Sequence, residues 1–220
     1  MNFTMYDTLL QLPLFQGLGK NEITEILAKV KFHFQKYTVG DYPFRQGEVC
    51  ESINFLLSGT LMAETCSPDG TYVFCEELPM PMIIELHSLY GIQPRYSSSY
   101  RAQTEVSMLT IDKQSLFSDL LPYMPCALNF ANIVSTRAQN VNQRIWSEMP
   151  GNLCDRFVRW ISVRCYRQTG RKVIRIKMED MAEYLSDRRI NVSRMLNDLQ
   201  GRSLVALRRK EIEIPALERL

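Results

Sequence analysis

The sequence predicts an α+β chain: helices leading into a small antiparallel β-roll, then one long helix, then a basic helical module that closes in a hairpin. Three observations carry this expectation. Short β-type runs from residue 32 to about residue 112 are separated by closely spaced turn residues. Small and aliphatic residues recur at heptad spacing between residues 127 and 145. The charge divides near residue 150: residues 1–150 carry 10 Lys and Arg against 15 Asp and Glu, whereas residues 151–220 carry 16 against 9. An acidic body with a basic end suggests one module that faces a polyanion and one that does not. The plainer alternative is a solvated basic surface.

At 220 residues the chain is long for one domain, so two are expected, with enough apolar content (45%) to bury a real core. "MNFTMYDTLLQLPLF" lacks the basic start of an export signal, and no apolar run is long enough to span a bilayer. The cytoplasm is the expected compartment and no membrane association is expected. Six cysteines without a Cys-x-x-Cys pair read as reduced, mostly buried thiols. His33 and His87 are the only histidines and lie far apart in the sequence, so no metal site is expected. No nucleophile-elbow, phosphate-loop or zincin motif appears, and the chain is not expected to be an enzyme.

Residues 4–31 read as helical, with a turn at Gly17–Gly19, a cap at Asn21, and Ile23, Ile26, Leu27 and Val30 at helical spacing. "SPDGTY" (67–72) is a hairpin turn, because proline presets φ and glycine permits the positive φ that such a turn requires. A long helix is expected over 117–149, with Pro122 and Pro125 disturbing its first turns. Ala127, Ala131, Val134, Ala138, Val141 and Ile145 form its seam, and small residues there let two helices approach closely. A helix lying on its own domain's core is the alternative, but the polar flanks at Asn140, Asn142, Gln143 and Arg144 favour a homodimer. "MPGN" (149–152) is the strong breaker. The expected organisation is therefore a roll with its leading helices (1–116), a dimerisation helix (117–149) and a C-terminal domain (150–220).

In the last domain Asn152 caps a helix that carries Leu153, Phe157, Trp160 and Ile161 inward and exits at Gly170. "RKVIRIKM" alternates like a strand, and "LVALRRKEIEI" closes as a hairpin. Between them, "MAEYLSDRRINVSRMLNDLQ" (181–200) stalls at Ser186–Arg189 and then resumes its apolar rhythm. Helix, strand, helix, turn, helix, hairpin is the order of a winged helix-turn-helix. Met181, Leu185, Val192 and Met195 suit its shared core, and Ala182 is small where the helices cross. Ser186 stands where the turn usually takes glycine.

At about 100° per residue, Val192, Met195, Leu196 and Leu199 share one side of the second helix, expected over 188–200. The other side carries Ile190, Arg194 and Asn197, with Ser193 at its edge, while Arg188, Arg189 and Asn191 occupy the first turn. Arginine bonds guanine bidentately, asparagine pairs with adenine, and isoleucine packs on thymine methyls. With Arg208, Arg209 and Lys210 at the hairpin, these are the candidate DNA contacts.

The chain resembles the bacterial catabolite-activator and fumarate–nitrate-reduction regulator (CRP/FNR) family. "LPLFQGLGKNEITEIL", "GDYPFRQGE" followed by "INFLLSGTL", and "ELHSLYG…YRAQTEVSMLTID" look like that family's lead helix, cyclic-nucleotide-binding-like roll and effector cassette. The resemblance implies a dimeric transcription regulator of double-stranded DNA with a two-half-site operator, and RNA polymerase as a further candidate partner. It also implies that the positions of Arg189, Ile190 and Arg194 meet bases, although isoleucine stands where well-known members have glutamate. The alternative is a sensor subunit whose C-terminal domain grips protein rather than DNA. The cassette departs from the family's nucleotide-binding pattern. Ile84 replaces the glycine before Glu85-Leu86, and Tyr96-Ser97 fall where Arg-Ser is expected, with Arg95 one residue away. On an alternating strand that slip turns Arg95 outward. Neither cyclic AMP nor cyclic GMP is therefore expected to bind, and no cofactor is expected. Glu85, Leu86, Arg95, Tyr96, Ser97 and Ser98 are the candidate lining of whatever pocket the roll holds.

Overall fold

Turn chemistry and buried stripes divide the chain into twin cores, which the computed structural model describes for residues 5–146 and 150–220. One unit comprises the chain up to Leu61 together with Leu78–Gln139, and the other Met62–Glu77 together with Asn140–Leu220. Residues 62–77, which a linear reading leaves with the roll, thus join the C-terminal unit.

The first unit opens with α1 (Met5–Leu10), a 3-10 turn at Pro13–Phe15 and α2 (Lys20–Lys29). Pro13 interrupts the continuous helix that apolar spacing suggests, since it offers no N–H to an earlier carbonyl. Gly19, not Asn21, caps α2: its N–H donates to Glu22 Oε2 at 2.7 Å. Leu14, Phe15, Ile23 and Ile26 are buried, so these helices lie on the core by one face.

Strands β1 (His33–Tyr37), β2 (Ser52–Ser58), β3 (Thr60–Cys66), β4 (Tyr72–Pro79), β5 (Met82–Ile84), β6 (Ser99–Ala102) and β7 (Val106–Asp112) follow. Within the first unit β1, β7, β2 and β5 lie side by side in that order, all antiparallel. Ile53, Phe55, Leu109 and Ile111 fill the core beneath them. The expected helix over 117–149 is shorter and stepped. One turn, α3 (Lys113–Ser115), and a π turn at Leu116–Leu120 precede α4 (Met124–Trp146), and residues 147–149 lie outside the described residues. Pro122 stops regular helix short of Met124. Pro125 is tolerated in the first turn, where backbone N–H groups have no helical acceptor. Cys126 is the one fully buried residue of α4.

The second unit holds α5 (Leu153–Ser162), β8 (Lys172–Ile176), α6 (Met178–Tyr184), α7 (Arg189–Gly201), β9 (Ala206–Arg208) and β10 (Glu211–Ile214). Its sheet runs β4-β8-β10-β9, with β4 and β8 in register from Tyr72↔Ile176 to Glu76↔Lys172. The turn before β4 forms as its residues require: the Gly70 N–H donates to Ser67 O at 2.9 Å with φ +70°. Phe74 from β4 joins Phe157, Trp160, Ile174, Val192 and Leu196 in one core. Asn152 caps α5 by accepting the Asp155 N–H at 2.8 Å. That helix ends at Ser162 rather than running to Gly170, because the buried Glu76 carboxylate takes the N–H groups of Tyr166 and Arg167 out of a helical ladder.

The junction between α6 and α7 is a Schellman turn. Asp187 N–H donates to Ala182 O and Ser186 N–H to Glu183 O, both at 3.0 Å, which puts Ser186 at φ +50°. A serine there carries a steric cost that glycine escapes. Ser186→Gly is therefore expected to raise the unfolding free energy by up to about 1 kcal/mol, measured by urea denaturation. A loss of stability would show that the Ser186 side chain contributes more than its conformation costs.

Candidate nucleic-acid interface and effector pocket

Burial sorts the faces of α7 as the apolar rhythm requires. Val192, Leu196 and Leu199 are buried and Met195 packs against the same core. Ile190, Arg194 and Asn197 stand exposed on the other side, Ile190 at 57%, with Ser193 half-buried between the faces. A large aliphatic side chain left in water on a helix whose apolar needs are already met marks a surface available to a partner. Arg188 and Arg189 are exposed at the first turn, and Arg209 and Lys210 at the two-residue tip between β9 and β10.

Not every candidate is equally available. Arg189 Nε lies 3.0 Å from Glu179 Oε1 of α6. Asn191 donates to Asp187 Oδ1 at 2.8 Å, and Asp187 also accepts from the Arg188 N–H and the Arg156 guanidinium of α5. Those bonds, the Asn191 contact foremost, hold the Asp187 carboxyl below its ordinary range. Arg208 is pulled back toward Glu211 and Glu213 of its own hairpin, at 3.5 and 3.3 Å. Reading residue types alone missed this bracing, although Asp187 and Asn191 at i, i+4 were a legible pair. Arg156 and Glu179 had no such local signal.

In the first unit the candidate pocket residues converge on one carboxylate. Glu85 is 3% exposed with a left-handed backbone, φ +38°. Its oxygens accept from Ser88 Oγ (2.7 Å), Ser97 N (2.8 Å), Ser97 Oγ (2.8 Å), Ser98 N (3.1 Å) and Tyr100 Oη (2.7 Å). Five donors fill the capacity of a carboxylate, leaving little for an outside hydroxyl. Leu86 is buried in the 3-10 turn that follows. Ser98 is buried and Ser97 remains at the surface.

Arg95 and Tyr96 take opposite sides of the chain, as alternation demands. Arg95 is exposed and its Nη1 donates to Gly47 O at 2.7 Å. Tyr96 is buried: it stacks on Phe44 with ring centroids 4.6 Å apart, and its hydroxyl accepts from Asn54 Nδ2 at 2.8 Å. Burial pushes its phenol well above the usual tyrosine range. At these positions the inward group is a neutral phenol and the cation faces out. Among the described residues no helix is long and apolar enough to cross a membrane, and no cluster of three or more metal-ligating side chains occurs.

Comparison with known proteins agrees with both halves. The Crp-like helix-turn-helix domain family matches residues 153–220, and the cyclic nucleotide-binding domain family matches residues 34–121. The chain is 22% identical over 203 residues to the anaerobic regulatory protein of Bacillus subtilis, covering 89% of this chain and 84% of that one. It is 24% identical over 225 residues to the CRP-like cAMP-activated global transcriptional regulator of Mycobacterium tuberculosis, covering 98% of each. Among solved structures, the sensor domain of the transcriptional regulator DNR from Pseudomonas aeruginosa superposes with a TM-score of 0.52 at 23% identity. That match covers 66% of this chain and 93% of the other.

The Glu85 network should be worth more to the roll than any single bond in it. Glu85→Gln turns one acceptor into a donor facing donors, and an unsatisfied buried group costs about 1–3 kcal/mol. A loss of stability in that range is expected in thermal or urea denaturation, with a smaller loss for Ser97→Ala. Unchanged stability in Glu85→Gln would mean that water replaces the network freely.

Proposed function

Because the chain belongs to the CRP/FNR family of transcription regulators, we propose that it acts as a cytoplasmic homodimer reading a two-half-site DNA operator through α7, without a cyclic nucleotide as effector. The observation that supports DNA reading most is the exposed face of α7, where Ile190, Arg194 and Asn197 project opposite a fully buried stripe. The basic tip at Arg209-Lys210 supplies phosphate contacts, which set register without reading sequence. Glu179 holds Arg189 at the edge of that face, so Arg194 is the arginine with the clearer path to a base edge. The competing reading, a C-terminal domain that grips protein, predicts binding with no steep dependence on salt, whereas DNA contacts release counterions. RNA polymerase remains the natural further partner for a DNA-bound regulator of this family.

Dimerisation is supported by what α4 leaves in water. Val141 is 38% and Ile145 64% exposed, Ala131 and Ala138 are exposed too, and Ala127 and Val134 are only half-buried. An amphipathic helix with its seam uncovered gains by pairing with a copy of itself. The absence of a cyclic-nucleotide effector is supported by the five internal donors on Glu85 and the outward Arg95. A buried phosphate without a cation at close range is too costly to hold.

Each part has its own test. Arg194→Ala should cost about 1–3 kcal/mol on the cognate operator and relax preference at one base position. Lys210→Ala should instead weaken all duplexes alike and flatten the salt slope. Footprinting and salt titration separate these outcomes, and an Arg194→Ala protein with unaltered preference would move the reading helix elsewhere. The double variant Ala138→Glu, Val141→Glu puts like charges on a desolvated seam and should be monomeric by light scattering. A double variant that stays dimeric removes the seam. Calorimetry with cyclic AMP on nucleotide-free protein should show no saturable heat at micromolar concentration. Tight binding abolished by Arg95→Ala would make Arg95 the phosphate clamp.

A further inference from the structure

We propose that Ile190 selects thymine by its C5-methyl group, so that each half-site carries a T·A pair close to the guanine that Arg194 reads. The inference rests on the reading of DNA through α7 and adds the base chemistry which that helix demands. Ile190 exposes 57% of its surface in the first turn of α7 and shares a face with Arg194, one turn further on. Its side chain has no hydrogen-bonding group, so it discriminates between bases by apolar contact alone. Among the four bases only thymine shows an apolar group in the major groove, where the others offer acceptors and amino donors. Isoleucine pressed on a cytosine or adenine amino group keeps water from a donor and gives nothing in return.

The neighbours of Ile190 leave this contact to it. Arg189 Nε sits 3.0 Å from Glu179 Oε1, and Asn191 Nδ2 donates to Asp187 Oδ1 at 2.8 Å. The flanking polar side chains are thus drawn toward the protein. Residues 188–197 hold three arginines and no Asp or Glu. Such a stretch attracts a polyanion, and duplex DNA is one that displays methyl groups in a groove wide enough for a helix. The side chain is also stiff. Isoleucine in a helix keeps one χ1 rotamer about 90% of the time, so little freedom is lost when its methyls meet a base. Helical rise places the neighbouring contact. Four residues advance about 6 Å and end about 40° past a full revolution, while base pairs stack about 3.4 Å apart. With the first turn of α7 against base edges, as recognition helices sit, Ile190 and Arg194 meet base pairs about one or two steps apart.

The test starts from duplexes that the full chain selects out of a random-sequence pool. Each thymine of the selected duplex is then replaced in turn by deoxyuridine, which removes the methyl and keeps the base pairing. One thymine per half-site, about one or two steps from the guanine whose preference Arg194→Ala relaxes, should lose about fourfold in affinity, the worth of one buried methylene-sized group. That loss should vanish in Ile190→Ala, whose side chain is too short to reach the methyl. At the same position 5-methylcytosine should bind more tightly than cytosine, because it restores the methyl alone. Ile190→Glu, whose carboxylate accepts from the cytosine amino group, should move the preference there from thymine to cytosine. If one variant misfolds by circular dichroism, the other decides. A selected half-site without such a thymine, a flat deoxyuridine scan, or a loss that persists in Ile190→Ala overturns the proposal, as does a thymine preference unchanged in Ile190→Glu. In each of those outcomes a selected sequence and steep salt dependence leave the reading of DNA by α7 in place. Binding that selects no sequence and ignores salt removes that reading, and this inference with it.

Discussion

One buried carboxylate, that of Glu76, organises the DNA-binding unit. It accepts from Lys172 Nζ at 2.9 Å and from the backbone N–H groups of Tyr166 and Arg167, while Lys172, with no exposed surface, gives a second bond to Thr169 O. Burying two opposite charges costs several kcal/mol, and only geometry with every lone pair and proton answered repays it. Removing one partner from such a pair typically costs about 3–5 kcal/mol, so the arrangement is close to obligatory once formed. It pins the end of the β4–β8 ladder and thereby draws the 62–77 hairpin into this unit. That hairpin then delivers Phe74 to the core and Tyr72 to an aromatic group with Trp160 and Tyr184, ring centroids 5.0 and 5.3 Å away. Thr71 and Asp69 bond the Tyr184 hydroxyl, so the first helix of the helix-turn-helix is tied to a strand turn more than a hundred residues earlier.

Glu85 plays a comparable part in the other unit, with a different consequence. There the acceptor is consumed by hydroxyls and backbone N–H groups of its own roll instead of by a cation. A carboxylate so saturated is a structural fixture, and its left-handed backbone is tolerated because the surrounding bonds over-determine it. The roll thereby keeps the architecture of an effector domain while spending inwardly the group that resemblance would assign to a ligand. The cations of this chain gather instead in the C-terminal unit, several of them facing outward from α7 and the hairpin tip.

Much of this was legible from residue order because it depends on neighbours a few positions apart. The buried stripe of α7 follows from helical periodicity, the Asn152 cap from the first orphan N–H groups of α5, and the 67–72 turn from Pro and Gly chemistry. The odd serine at 186 announced its own strained φ, and the single-residue slip at Arg95-Tyr96 announced which side chain turns inward. Length was less secure. Apolar spacing ran straight through Pro13 and toward Gly170, where backbone hydrogen bonding ended the helices earlier.

Only the tertiary structure decided which polar groups are buried. In "RKVIRIKM" simple alternation says nothing of a lysine sealed from solvent, because the carboxylate that makes its burial affordable lies 96 positions away on another strand. The same holds for Arg156 on Asp187, for Glu179 on Arg189, and for the four donors that Ser97, Ser98 and Tyr100 bring to Glu85 from a separate segment. The sequence by itself determined the order of elements, the faces they bury and the kind of protein this is, since those rest on periodicity and on residue types at fixed offsets. Charge pairing across the fold was settled by topology. A buried charge is stable only beside its partner, and no local pattern records which distant residue that partner will be.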